Sequence, residues 1–134
     1  MKAADTSVVV AAFASWHQHH DRARRALDGG ICLIDHCALE SYSVLTRLPP
    51  PHRSAADVVL AFLTARFPQP WLRLSASAYK AFIRSLADRG AAGGASYDAL
   101  VAATAAGYGA ELISCDRRAL TIYARYGVRA TFLP

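Results

Sequence analysis

Short apolar runs alternate with helical stretches along the whole of this 134-residue chain, and that alternation restricts its fold more than any other feature. The segment 2–5, Ile31-Cys32-Leu33-Ile34, Trp71-Leu72-Arg73-Leu74, Glu111-Leu112-Ile113-Ser114 and the alternating stretch from Val128 to Leu133 read as strands. Helices are predicted just after Asp5 and over 21–28, 36–48, 54–67, 76–89, 97–108 and 117–126. Gly29-Gly30, Pro49-Pro50-Pro51 and Gly127 supply stops, while Ser54 and either Ser75 or Ser77 are candidate N-caps. Strands separated by helices pair in parallel, and the helices cover both faces of the sheet. Residues 97–108 add to this, because a helix apolar nearly all round must be buried on most sides. One segment is in conflict. Val8-Val9-Val10 favours a strand by its β-branching, yet Ala11-Ala12-Phe13-Ala14 continues as a helix, so the strand is ended near Asp5.

The length suits one domain over 1–134, with no repeat, low-complexity run or long linker. With 54% apolar residues the chain has material for a core without metal or disulfide staples, and disorder is excluded. No run of 18 apolar residues exists and no signal-peptide pattern follows Lys2, so the expectation is a cytoplasmic protein that makes no membrane contact. Cys32, Cys37 and Cys115 form no C-x-x-C pair and no zinc-like spacing with histidine, and read as reduced, mostly buried small residues. The formal net charge is +5, carried by 13 Arg and 2 Lys against 10 acids. Such a surface is a weak pointer to a polyanionic partner.

In a parallel α/β sheet, ligands bind beyond the carboxyl ends of the strands, where the strand order reverses. Two acids sit there: Asp5 ends the first strand and Asp116 follows the fourth, while Asp98 opens the buried helix before that fourth strand. Each has an ordinary structural explanation, as an N-cap or as an acid suited to a helix dipole. Their convergence would be different. Carboxylates about 4 Å apart repel by about 1–4 kcal/mol per pair, so a site that gathers them needs a cation or bound protons, and oxygen-only ligands select hard ions such as Mg²⁺ or Mn²⁺. Glu40 lies at the edge of its helix's apolar arc near Ser43 and Arg47, and periodicity alone does not single it out.

These residues resemble those of a known family. Asp5-Thr6-Ser7-Val8-Val9-Val10-Ala11 is similar to the opening of PIN domains, and Leu39-Glu40-Ser41-Tyr42-Ser43-Val44-Leu45-Thr46-Arg47-Leu48 to their second acidic motif. Ser96-Tyr97-Asp98-Ala99-Leu100-Val101-Ala102-Ala103-Thr104-Ala105 resembles the third, the most distinctive of the set, and Ser114-Cys115-Asp116-Arg117-Arg118 the fourth. Order and spacing match over essentially the whole chain, and the nearest subgroup is the VapC-like toxins of bacterial type II toxin–antitoxin modules. The resemblance implies a three-layer α/β/α fold with a five-stranded parallel sheet ordered 3-2-1-4-5. It implies that Asp5, Glu40, Asp98 and Asp116 are catalytic and hold a metal ion, Mg²⁺ with Mn²⁺ as a substitute, for endonucleolytic hydrolysis of RNA. It also implies a homodimer and a small VapB-like antitoxin that blocks the acidic pocket. One departure is Ala119, where some relatives carry a further acid or polar residue.

Within that reading Asp5, Asp98 and Asp116 are direct or water-mediated metal ligands, and Glu40 orients water or completes the outer shell. Ser7 and Ser114 would fix carboxylate rotamers by hydrogen bonds, although turn hydroxyls commonly look the same. Arg117 and Arg118, directly after the fourth acid, are the candidate RNA phosphate contacts. The trio Arg22, Arg24 and Arg25 reads as a solvated face or an antitoxin contact. His17, His19 and His20 lie between helices with no ligand pattern around them, His36 and His52 stand alone, and Trp16 and Trp71 read as core or interface anchors. Other classes fit less well. A receiver-type phosphoacceptor wants an acidic pair after the first strand and a late lysine, a D-x-D phosphatase has Asp where Ser7 stands, and no G-x-x-x-x-G-K is present. A non-catalytic PIN-like module binding RNA or protein remains the alternative. Assigning four of the ten acids to one pocket leaves six against fifteen basic residues elsewhere, a basic body around a concentrated acidic site.

Overall fold

The computed structural model describes residues 1–134 as one α/β unit. β1 (Lys2–Ala4) leads into α1 (Thr6–Phe13) and α2 (His20–Asp28), then β2 (Cys32–Leu33), α3 (Asp35–Arg47), α4 (Ala56–Arg66), α5 (Ala76–Asp88) and α6 (Ala95–Gly107). β3 (Glu111–Ser114), α7 (Arg117–Arg125) and β4 (Ala130–Phe132) complete it. All strand pairs are parallel, in the order β2-β1-β3-β4. Successive strand residues face opposite sides of a sheet. Ala3 and Ala4 of β1 are both fully buried, so helices cover both faces and the three-layer arrangement is met.

The sheet has four strands rather than the expected five. The run 71–74 does lie outside β2, but only as a single parallel bridge between Leu72 and Ile34. Leu72 N–H donates to Leu33 O at 2.8 Å, and Leu72 O accepts from Asp35 N–H at 2.9 Å. The pairing ends there for two reasons. Pro70 lacks a backbone donor. On the other side the partner backbone leaves the sheet, since α3 begins at Asp35, while the outward-facing N–H and C=O of Arg73 are both bound by the Tyr108 hydroxyl, at 3.3 and 3.0 Å.

The conflict at Val8-Val9-Val10 resolves as helix. Val8 and Val9 are fully buried in the main core beside Leu33, Ile34 and Leu112, and burial of this kind outweighs a propensity difference of about 1 kcal/mol or less per residue. Ser75 caps α5, accepting from Ala78 N–H at 3.1 Å. Ser54 does not cap its helix: α4 starts at Ala56 behind Ala55, and the Ser54 hydroxyl donates to Ala55 O instead. Of the cysteines, all free, only Cys37 is fully buried, and Cys32 and Cys115 are half-buried. Trp71 packs against the core, whereas Trp16 is 48% exposed and anchors none of it. No helix is long and apolar enough to cross a membrane.

Candidate active site

Register places the first two functional positions side by side. Ala4 of β1 pairs with Ile113 of β3, so the next residues along, Asp5 and Ser114, leave the carboxyl edge of the sheet together. Asp5 N–H still donates to Ile113 O at 3.1 Å, which ties the acid to the sheet. Its side chain then caps α1, accepting from Val8 N–H at 3.3 Å. Asp5 Oδ1 also accepts from the Ser7 hydroxyl, and Oδ2 accepts from the Tyr123 hydroxyl at 2.8 Å. The carboxylate is thus 3% exposed and held by three donors. Burial raises its pKa, and the surrounding hydroxyls of Ser114, Ser7 and Tyr123 partly offset this.

Ser7 and Ser114 connect this acid to the fourth motif. Ser7 Oγ accepts from Cys115 N–H at 2.7 Å, and Ser114 Oγ accepts from Asp116 N–H at 2.9 Å. The two hydroxyl oxygens are 3.4 Å apart. Asp116 is the exposed N-cap of α7, with Oδ1 accepting from Arg118 N–H at 2.9 Å.

Glu40 projects from the second turn of α3, where His36 one turn earlier brings its Nε2 to 3.6 Å from Glu40 Oε2. That imidazole holds the Glu40 carboxyl below its usual value, and Glu40 in turn raises the pKa of His36. The expectation of an isolated His36 is therefore corrected, and its ring is also stacked on Tyr97 with ring planes 3° apart. Asp98, in the first turn of α6, has neither a hydrogen bond nor an ion pair. Burial, and then the charges of Glu40, Asp116 and Asp5, push its pKa up to about 6.

Asp5, Glu40, Asp98 and Asp116 therefore line one pocket of about 380 Å³, together with Ser7. Arg117 and Arg118 do not line it. The Arg117 guanidinium lies 4.0 Å over the Phe132 ring, and Arg118 is exposed. As placed, no three His, Cys, Asp or Glu side chains form a ready-made metal cluster. The donor set nonetheless fits a hard divalent cation. It is all oxygen, it gathers four carboxylates, and the charges of Glu40, Asp116 and Asp5 add to burial in raising the pKa of Asp98. The Thr6 hydroxyl, also on the pocket wall, is buried without a hydrogen-bond partner. Cys115 shares the wall, but burial and the nearby Asp5 push its thiol up to about 11, so it stays protonated and is no nucleophile.

Sequence reasoning missed two groups. Tyr123 is the larger: fully buried, with its hydroxyl on Asp5. The available signal was a tyrosine on the apolar face of an amphipathic helix, since a buried phenol needs a partner. The other is the turn between α1 and α2, whose His17, Gln18 and His19 line the pocket. Only the return of the chain over the sheet edge brings them there.

Comparison with known proteins follows the same lines. The family model for the PIN domain matches residues 3–125. Ribonuclease VapC40 of Mycobacterium tuberculosis is 50% identical over 128 residues, covering 96% of each chain. Ribonuclease VapC27 of the same organism is 40% identical over 136 residues, covering 94% of this chain and 92% of its own. The crystal structure of FitAcB from Neisseria gonorrhoeae has the same fold, with a TM-score of 0.66 at 17% identity over 97% of this chain and 96% of that one.

Proposed function

This chain belongs to the PIN-domain family and is VapC-like, and from that premise we propose that it is a metal-dependent endoribonuclease, the toxin of a toxin–antitoxin pair. The observation that carries the reading is the gathering of Asp5, Glu40, Asp98 and Asp116 in one pocket at the carboxyl edge of the parallel sheet. Two relatives named as ribonucleases, 50% and 40% identical over nearly the full length, support it.

Asp5, Asp98 and Asp116 would hold Mg²⁺ or Mn²⁺, with Glu40 completing the set. When bound, the cation supplies Lewis-acid stabilisation to a phosphodiester under attack by water. The chain's own groups do the rest. Ser7 and Tyr123 fix the two oxygens of Asp5, and Ser7 Oγ also binds Cys115 N–H, so the first and fourth motifs move as a unit. Asp98 and Glu40 bring carboxylate oxygens from two further helices, and His36 restrains Glu40. The basic body outside the pocket would attract RNA, with Arg117 and Arg118, directly after Asp116 in the chain, as the proposed phosphate contacts. A homodimer and a small antitoxin that presents a basic side chain to the acidic pocket complete the proposal.

The test is incubation of purified protein with total RNA, in EDTA and then with Mg²⁺ or Mn²⁺ restored. Cleavage that is lost with the chelator, regained with the cation and absent in Asp98→Asn is the expected result. RNA binding without cleavage under all these conditions would overturn the reading in favour of a non-catalytic module.

A further inference from the structure

The acids account for one part of the pocket wall, and the turn between α1 and α2 accounts for another that metal chemistry does not use. His17, Gln18 and His19 line the same pocket, and none of its fifteen lining residues is Arg or Lys. The turn is well fixed. His17 N–H donates to Ala14 O and His20 N–H to His17 O, both at 3.0 Å, and the His20 ring Nδ1 lies 2.8 Å from Ala11 O. His19 N–H donates to His17 Nδ1 at 3.1 Å, so the proton of the neutral His17 ring resides on Nε2, which has no partner in the protein. Burial and the neighbouring His19 and His20 lower the pKa of His17, which keeps the ring in this neutral form. The turn therefore offers an uncharged N–H donor and, from Gln18, an adjacent amide donor and acceptor. Neutral groups of this kind do not neutralise phosphate. They match the hydrogen-bonding edge of a nucleobase. Next in the chain to His17, Trp16 is 48% exposed, with its ring against His52 at 4.2 Å between centroids and planes tilted by 34°.

We propose that this turn is a nucleobase subsite: His17 and Gln18 read the edge of an unpaired base next to the scissile phosphate, and Trp16 stacks the following base. The inference rests on the nuclease reading and adds to it the residues that set its sequence preference. RNA readers commonly combine these elements, splayed bases being stacked on aromatic rings and hydrogen-bonded at their edges.

The experiment is sequencing of the cut ends from a randomised single-stranded RNA library digested with the cation-loaded protein, each profile normalised to its own total cleavage. Wild-type protein is expected to prefer one base at a position flanking the cut. Gln18→Ala and His17→Ala each reduce that preference about tenfold, the effect of removing one hydrogen bond to a base edge. Trp16→Ala raises the RNA concentration for half-saturation about tenfold without changing the preferred base at that position. A second readout uses fluorescence anisotropy in an Asp98→Asn background, where adding Gln18→Ala should erase the difference in affinity between preferred and non-preferred oligonucleotides. A flat wild-type profile, or a profile unchanged in both Gln18→Ala and His17→Ala, overturns the subsite and leaves the nuclease standing. Wild-type protein that cuts no RNA with either cation overturns the nuclease reading and the subsite with it.

Discussion

The two sides of the acidic pocket are built on different principles. On one side Asp5 is almost fully buried and held by Ser7, Val8 N–H and Tyr123, in a network that continues through Ser7 into the fourth motif. On the other side Asp98 is half-buried, has no hydrogen-bond donor, and carries its proton up to about 6 because of its burial and then the charges of Glu40, Asp116 and Asp5. The first side is satisfied by the fold itself. The second is left electrostatically strained, and a cation is the natural way to relieve it. In the proposed metal site the rigid side would position the cation and the unrelieved charge would supply the affinity.

The largest effect expected is on activity. Asp98→Asn and Asp5→Asn should each lower RNA cleavage at least about hundredfold, the upper range for disturbing even the support of a metal ligand, while circular dichroism shows a folded protein. Full activity in both would remove the distinction along with the site. Tyr123→Phe breaks the satisfied side alone. It strips Asp5 Oδ2 of its donor inside the core and should destabilise the protein by about 1–3 kcal/mol in urea unfolding.

The strained side makes the opposite prediction. Asp98 has a pKa of about 6 in the folded state against 3.8 for the ordinary group. The folded state therefore binds this proton more tightly, and the stability it contributes is complete below pH about 4 and lost as pH rises through about 6. In EDTA, wild-type protein should melt at a lower temperature than Asp98→Asn at pH 7, with the gap closing towards pH 4. Addition of Mn²⁺ at pH 7 should raise the wild-type melting temperature more than that of the variant. A wild-type protein more stable than Asp98→Asn at pH 7 without cation would show that the charge is not strained.

The smallest effect is on the periphery. Arg117→Ala with Arg118→Ala should reduce the slope of log affinity against log salt by about 0.7 for each single-strand phosphate that a removed guanidinium had neutralised. Arg117, held over Phe132, is expected to contribute less than the exposed Arg118.

Much of this was legible in the residues. The alternation of strands and helices, and the placing of Asp5 and Asp116 at strand ends, follow from local patterning and from where parallel sheets bind ligands. Glu40 was visible only through its family resemblance, since a boundary Glu on an amphipathic helix has no distinctive period. The strand at 71–74 shrank to a bridge because Pro70 has no backbone donor on one side of Leu72 and the partner backbone turns into α3 at Asp35 on the other. Ser54 failed as a cap because its helix starts two residues later, a boundary that propensity does not resolve.

The amino-acid sequence by itself determined the fold class, through periodicity and turn residues, and the resemblance of its motifs pointed to the family and to the four acids. The tertiary structure alone decided which neutral groups share the pocket with those acids. Tyr123 reaches Asp5 across 118 positions, and His17 and Gln18 reach the pocket through a turn whose bonds run back to α1. Contacts of that kind are set by the register of the sheet and the packing of helices on it, and no local pattern encodes them. The same packing divides the acids into one the fold has satisfied and one it has left in need of a partner.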